Sequence, residues 1–144
     1  MWEAVERTPD VFDDAYLVKV TELINKMGEK GLYTMVDAHQ DVFARTICGE
    51  GVPAFYATDK QLNHSCRGII PGVLARLGIC TPMKDYGYRK DENGWPVIED
   101  CQTNPFAVYY TSPESESAFN RLYQNVDGLR DKFLAYWDKV ASVF

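Results

Sequence analysis

The chain has 144 residues, 46% hydrophobic and 25% charged, the composition of one globular domain able to bury a core; a disordered or fibrous chain is excluded. Its formal charge of −6, with acids and bases interspersed and no basic run, excludes a surface that tracks nucleic-acid phosphates or an anionic membrane, and fits a neutral or weakly charged substrate. No apolar run approaches the roughly 18 residues that span a bilayer. The amino terminus Met1-Trp2-Glu3-Ala4-Val5-Glu6 also lacks the basic and apolar regions of an export signal.

The first predicted element is a helix over 14–30, where Leu17, Val20, Ile24 and Met27 recur three and four apart as one buried stripe. Asp13 or Asp14 can cap its start, and Gly28 and Gly31 supply a left-handed termination. Residues 32–36 (Leu-Tyr-Thr-Met-Val) then read as a strand apolar on both faces, the kind buried inside a parallel sheet covered by helices. It runs directly into Asp37-Ala38-His39-Gln40-Asp41, and the carboxyl ends of such strands are where α/β sheets hold ligands. The two-residue period of a strand puts Asp37, His39 and Asp41 on one face, Asp37 deepest, with donors and acceptors suited to vicinal hydroxyls. The competing reading is a strand end whose polar residues cap a turn and meet water.

Residues 42–113 form a long loop insertion rich in Gly, Pro, Asn and Asp, far beyond ordinary connection lengths. Residues 69–79 suggest a short helical turn and 90–96 a turn or hairpin tip. Phe55, Tyr56, Tyr86, Tyr88 and Trp95 serve either as anchors or as stacking surfaces. Cys48, Cys66, Cys80 and Cys101 are spaced too widely for zinc knuckles and read as disulfides of unassigned pairing, or as buried thiols. Asn63-His64-Ser65 is a sequon for N-glycosylation.

Helix resumes where Ser112 caps, Pro113 takes the first position, and Glu114 and Glu116 face the positive end of the dipole. The stripe Phe119, Leu122, Val126, Leu129, Phe133, Tyr136, Val140 and Phe144 runs to the end, with a break at residues 125–128 where Asp127 can start a second helix. No phosphate loop, Gly-x-Gly-x-x-Gly or His-Glu-x-x-His is present, so neither a nucleotide cofactor nor a catalytic metal is expected.

Asp37-Ala38-His39-Gln40-Asp41, preceded by Trp2-Glu3-Ala4-Val5-Glu6 and a helix and followed by Cys48-Gly49-Glu50-Gly51-Val52-Pro53, resembles the endoglycoceramidase branch of glycoside hydrolase family five. The resemblance implies α/β architecture and a segment of an eight-stranded (β/α) barrel: the end of strand two at Met1-Trp2, helix two, strand three, the long βα loop and helix three. On that reading residues 1–144 are part of one catalytic domain, since a closed barrel takes roughly 250 residues, and strand 32–36 has both edges unpaired. It also implies a parent enzyme, secreted or lumenal in the secretory or lysosomal pathway, that releases the glycan of a glycosphingolipid from ceramide by a retaining two-glutamate mechanism.

His39 and Asp41, with Asp37 beside them, would then contact the sugar next to the cleaved bond. The family's two glutamates follow strands four and seven, and neither Glu50 nor Glu99 matches either motif. No catalytic residue is therefore assigned, and the chain by itself is expected to be inactive. The alternative is a complete, disulfide-braced secreted module that binds glycans or proteins without catalysis. Such a module would melt cooperatively, whereas a barrel segment would expose its strand edges.

Overall fold

The computed structural model describes residues 1–66 and 80–144, so the helical turn expected over 69–79 lies outside the described residues. The chain opens with one turn of helix, α1 (Trp2–Val5), and a small antiparallel hairpin of β1 (Glu6–Thr8) and β2 (Val11–Phe12). The expected strand at Met1-Trp2 is thus corrected to helix. Trp2 and Val5 are buried three apart on one face of a turn, where a strand would alternate. The Trp2 ring lies 5.1, 5.5 and 5.8 Å from those of Tyr56, Phe133 and Tyr136. Its Nε1–H donates to Glu6 Oε2 at 2.5 Å. The buried Glu6 carboxylate also accepts from Asp10 N and the Tyr56 hydroxyl, each at 2.7 Å, so three donors offset its desolvation.

Helix α2 (Asp14–Glu29) starts as expected, with the Asp13 carboxylate accepting from Tyr16 N at 2.8 Å. Gly28 lies inside it, so the left-handed residue after the helix is Gly31 alone, at φ 73°. Of its predicted stripe Leu17 is buried and Val20, Ile24 and Met27 half-buried. The following apolar segment departs from expectation. Residues 32–36 join no sheet among the described residues; Tyr33 is fully exposed, and Leu32 and Met35 are also exposed. A strand loses both faces to burial only when neighbouring strands and covering helices supply them, and the described residues supply neither.

Residues 42–113, expected as loop, contribute much of the core. Strand β3 (Val42–Ala44) pairs in parallel with β4 (Glu50–Val52) across a tight 3₁₀ turn, and Val42, Phe43, Ala44, Ile47, Val52 and Ala57 are buried. The cysteines form Cys48–Cys101 and Cys66–Cys80, with Cα separations of 5.5 and 6.0 Å. The first ties the β3–β4 corner to the one-turn helix α3 (Ile98–Cys101). The tip at 90–96 forms as predicted, Asp91 accepting from Asn93 N and Trp95 N at 2.9 Å each, with Gly94 at φ 79°. The aromatics act as anchors: Tyr86, Tyr88 and Tyr109 pack together, and the Tyr88 and Tyr109 hydroxyls bond at 2.7 Å.

Helix α4 (Pro113–Tyr123) begins at the predicted cap, Ser112 Oγ accepting from Ser115 N at 3.1 Å. Helix α5 (Leu129–Ala141) follows the predicted break, but Asp127 does not cap it. Asn125 Oδ1 takes that role, accepting from Arg130 N and Asp131 N at 3.0 and 3.3 Å, while Asp127 pairs with Arg121 at 2.7 Å. Asn125 and Asp127, both at φ 55°, interrupt the 3.6-residue period. Leu129, Tyr136 and Val140 are consequently buried, whereas Val126 and Phe144 are exposed.

Glu114 does more than face the helix dipole. It is 1% exposed; Oε2 accepts from Met83 N at 3.2 Å and Oε1 lies 2.9 Å from His64 Nδ1. The other ring nitrogen, Nε2, is 2.8 Å from the Asp59 carbonyl. Both partners are acceptors, so both contacts are hydrogen bonds only when the ring carries two protons. The Asp59 carbonyl, followed by Glu114, raises the His64 pKa above its ordinary 6.5, against the opposing effect of burial. Because the folded-state pKa is raised, the stabilisation is fully present below 6.5 and is lost as pH rises from there through the raised folded-state pKa. Thermal unfolding at mildly acidic and mildly alkaline pH is expected to show this loss, and His64→Ala to remove it. An unchanged pH difference in the variant would assign the effect to another group.

Candidate functional site

The segment 37–41 leaves α2 through Gly31 and is held by the β3–β4 corner. Asp41 and Glu50 exchange both backbone hydrogen bonds, Asp41 N to Glu50 O at 3.1 Å and Glu50 N to Asp41 O at 2.8 Å. Gln40 Oε1 accepts from Phe43 N at 3.1 Å. Val42 and Phe43, both buried, adopt φ 56° and 93°, a region costly to side chains with a Cβ and tolerated where the surrounding core dictates it.

Two glycines make this approach possible. A Cβ on Gly51, which sits at φ 114°, would lie 2.6 Å from Gln40 Cα and 2.8 Å from His39 O. One on Gly49 would lie 2.9 Å from Val42 Cβ. Gly51→Ala is expected to cost about 2–4 kcal/mol, combining a left-handed alanine with a backbone clash. Urea unfolding reads this out, and a change within about 0.5 kcal/mol would show that the segment does not depend on the contact.

The side chains of Asp37, His39 and Asp41 come together, although residues 37–40 belong to no strand. His39 Nε2 is 3.2 Å from Asp41 Oδ2, and its Nδ1 is 3.6 Å from Asp37 Oδ2. The expected order of depth is reversed, because Asp37 is the most exposed of the three at 72%. Two further residues join them. Glu50 Oε1 is 3.8 Å from His39 Nε2, and the Tyr110 hydroxyl donates to Asp41 Oδ1 at 3.3 Å. Sequence reasoning missed both. The glycines flanking Glu50 were its signal, since paired glycines mark a close backbone approach; Tyr110, 69 residues from Asp41, had none.

The cluster lies between two recesses. An apolar one of about 210 Å³ is lined by Trp2, His39, Gln40, Phe43, Phe119 and Phe133. A more polar one of about 520 Å³ opens off Asp41 and Glu50 and is walled by Cys48–Cys101. Carboxylates accept from hydroxyls and an imidazole donates or accepts, so polar contacts beside apolar walls suit a sugar ring. His39, Asp41 and Glu50 also each place a ligand atom within 4.8 Å of the others, the one such group among the described residues; such a set could hold a hard cation. Glu99 lies exposed on α3, outside the cluster. At the sequon, Asn63 Nδ2 donates to Ser65 O at 3.1 Å, and its Oδ1 accepts from Ser65 N at 3.2 Å.

No family model matches the chain. An endoglycoceramidase of Hydra vulgaris is 32% identical over 133 residues, 92% of this chain and 23% of its own length. An endoglycoceramidase of Cyanea nozakii is 29% identical over 133 residues, 92% of this chain and 24% of its own. Over most of its length the chain is similar to endoglycoceramidases. The chain also has the fold of part of a solved enzyme, endo-glycoceramidase II from Rhodococcus sp. as its lactosyl-enzyme intermediate. The two superpose with TM-score 0.64 at 22% identity, over 99% of this chain and 27% of that one. The chain thus spans about a quarter of the length of each relative. Its described residues are α/β, with two two-stranded sheets and no closed barrel.

Proposed function

We propose that the chain forms the sugar-holding wall of a glycoside hydrolase of the family-five type, whose parent polypeptide cleaves the bond between oligosaccharide and ceramide in glycosphingolipids. The observation that carries this is the convergence of His39 and Asp41 on one accessible point, within a chain similar to endoglycoceramidases along 92% of its length. Asp41 accepts a hydroxyl of the sugar, and the His39 imidazole donates to or accepts from its neighbour. Asp37, outermost, contributes at the rim.

The mechanism proposed for the parent is retaining. A glycosyl-enzyme such as the Rhodococcus lactosyl intermediate is the species that two carboxylates about 5 Å apart generate, one as nucleophile and one as acid and then base. Asp41 and Glu50 face the same imidazole from one side, so they are poorly arranged to flank a bond. Both catalytic glutamates are therefore assigned outside these 144 residues, and the chain alone is inactive. The bonded state of all four cysteines supports an oxidising secretory or lysosomal lumen, where Asn63 would meet the glycosylation machinery.

Titration with lactose, followed by backbone NMR, tests the reading. Shifts centred on residues 37–41 that vanish in Asp41→Asn, with no turnover of a β-lactoside, are expected. No response up to the solubility limit of lactose would overturn it.

A further inference from the structure

The Cys48–Cys101 bridge stands at the edge of the His39–Asp41 cluster, within reach of solvent. Both cysteines are half-buried and line the recess of about 520 Å³ that opens off Asp41 and Glu50, room enough for a thiol of a few heavy atoms. Cys48 ends the 3₁₀ turn between β3 and β4 (Arg45–Ile47) in the left-handed region, at φ 62° and ψ 21°. A residue with a Cβ stays there only where its surroundings hold it, and the bridge to α3 is one such hold. Gly49 and Glu50 follow immediately, and Glu50 exchanges both backbone hydrogen bonds with Asp41.

The two sulfurs of the bridge are not equivalent. Arg45 Nη1 donates to Cys101 Sγ at 3.8 Å, and its Nη2 donates to the Pro96 carbonyl, which fixes the guanidinium in place. A cation held beside one sulfur favours the departure of that sulfur as thiolate, and exchange is faster when the leaving thiolate is stabilised. A thiolate entering the recess therefore attacks Cys48 Sγ. A bond forms between the incoming sulfur and Cys48, the Cys48–Cys101 bond breaks, and its electron pair leaves on Cys101 Sγ beside Arg45. A second small thiolate then attacks the incoming sulfur, departs with it as a small disulfide and releases Cys48. Two electrons have passed from two small thiols to the bridge; of the two protons those thiols lose, one goes to Cys48 and one to solvent while Cys101 stays a thiolate.

We infer that Cys48–Cys101 is a reversible, thiol-operated switch on the cluster of His39 and Asp41. Closed, the bridge pins Cys48 and keeps the Glu50 backbone against Asp41. Open, it frees Cys48 to leave its left-handed conformation and lets residues 48–50 draw away from Asp41. The inference rests on the reading of His39 and Asp41 as sugar contacts. The reductant is a thiol of low molecular weight, and the reverse step consumes the corresponding small disulfide.

The test exposes the intact, oxidised chain to 2-mercaptoethanol, quenches at intervals with iodoacetamide and maps each cysteine by peptide mass. Lactose titration by backbone NMR reads the cluster before reduction, after it, and after reoxidation with hydroxyethyl disulfide. The mixed disulfide is expected on Cys48. Arg45→Gln should slow the opening of Cys48–Cys101 by about fivefold and spread the adduct over both cysteines, while Cys66–Cys80 opens at its original rate; Arg45→Lys, which keeps the charge, should preserve the preference for Cys48. Opening should weaken lactose binding by about tenfold, the loss of roughly one hydrogen bond to a charged group, with far-UV circular dichroism unchanged, and reoxidation should restore it. An adduct on Cys101, or an undiminished rate in Arg45→Gln, would overturn the exchange chemistry. A lactose response untouched by opening, or loss of the circular dichroism signal on opening, would reduce the bridge to a structural brace and overturn the switch. Absence of any lactose response in the oxidised chain would overturn the sugar reading and the switch on that site with it; adduct mapping, which needs no sugar, tells that failure from the others.

Discussion

Trp2→Ala is expected to destabilise the chain by about 3–5 kcal/mol, the largest effect of any single substitution considered. Trp2 is 2% exposed and its ring touches Tyr56, Phe133 and Tyr136, so truncation opens a cavity where the amino-terminal turn, the 42–113 region and α5 meet. The loss is also chemical. The indole N–H satisfies Glu6 Oε2, and without it a buried carboxylate oxygen keeps its desolvation cost and loses a donor. Trp2→Phe separates the two terms: most of the ring remains while the donor is gone, so an intermediate cost of about 1–3 kcal/mol is expected. Urea denaturation followed by far-UV circular dichroism measures both. Because Trp2 lines the apolar recess beside His39, the lactose response of residues 37–41 should weaken in Trp2→Ala under conditions where it stays folded. A cost for Trp2→Ala under about 0.5 kcal/mol would remove Trp2 from the core.

Replacing both Cys48 and Cys101 by serine is expected to cost about 4 kcal/mol, because the bridge closes a loop of 53 residues that the unfolded chain otherwise leaves open. Cys66–Cys80 closes only 14 residues, and its removal should cost about 3 kcal/mol on the same argument. The order matters more than the values. Cys48 sits two residues from Glu50, which stands against His39, so loss of the first bridge should also weaken the lactose response of residues 37–41. Loss of the second should leave it. Denaturant midpoints of the two double variants, with lactose titrations of each, decide the point; a larger loss for the Cys66–Cys80 pair would refute the loop-length account.

Local signals were legible wherever a residue acts on its own neighbours. Asp13 and Ser112 cap the helices assigned to them, the 90–96 tip closes on Asp91, and Asp37 and Asp41 both stand against His39, two residues from it on either side. Periodicity found α2 and the α4–α5 stripe because an apolar face repeats every three or four residues whatever it packs against. The same reasoning expected residues 32–36 to be buried on both faces, and they are largely exposed. An apolar run shows what a segment can bury, and burial depends on whether sheet neighbours are present. It also took 42–113 for loop, since strands of three residues and 3₁₀ turns carry too few side chains to show a period.

By itself the amino-acid sequence determined the three long helices, the caps at Asp13 and Ser112, the spacing of Asp37, His39 and Asp41 and the resemblance to endoglycoceramidases, all of which rest on contacts within a few residues or on short motifs. The tertiary structure alone decided the cysteine pairing, the burial of Trp2 and Glu114, and the addition of Glu50 and Tyr110 to the site. Those depend on close approaches between separate segments, of which the approach of Glu50 to residues 39–42 is permitted at Gly49 and Gly51 by the absence of a Cβ, and no local pattern encodes which segments will meet.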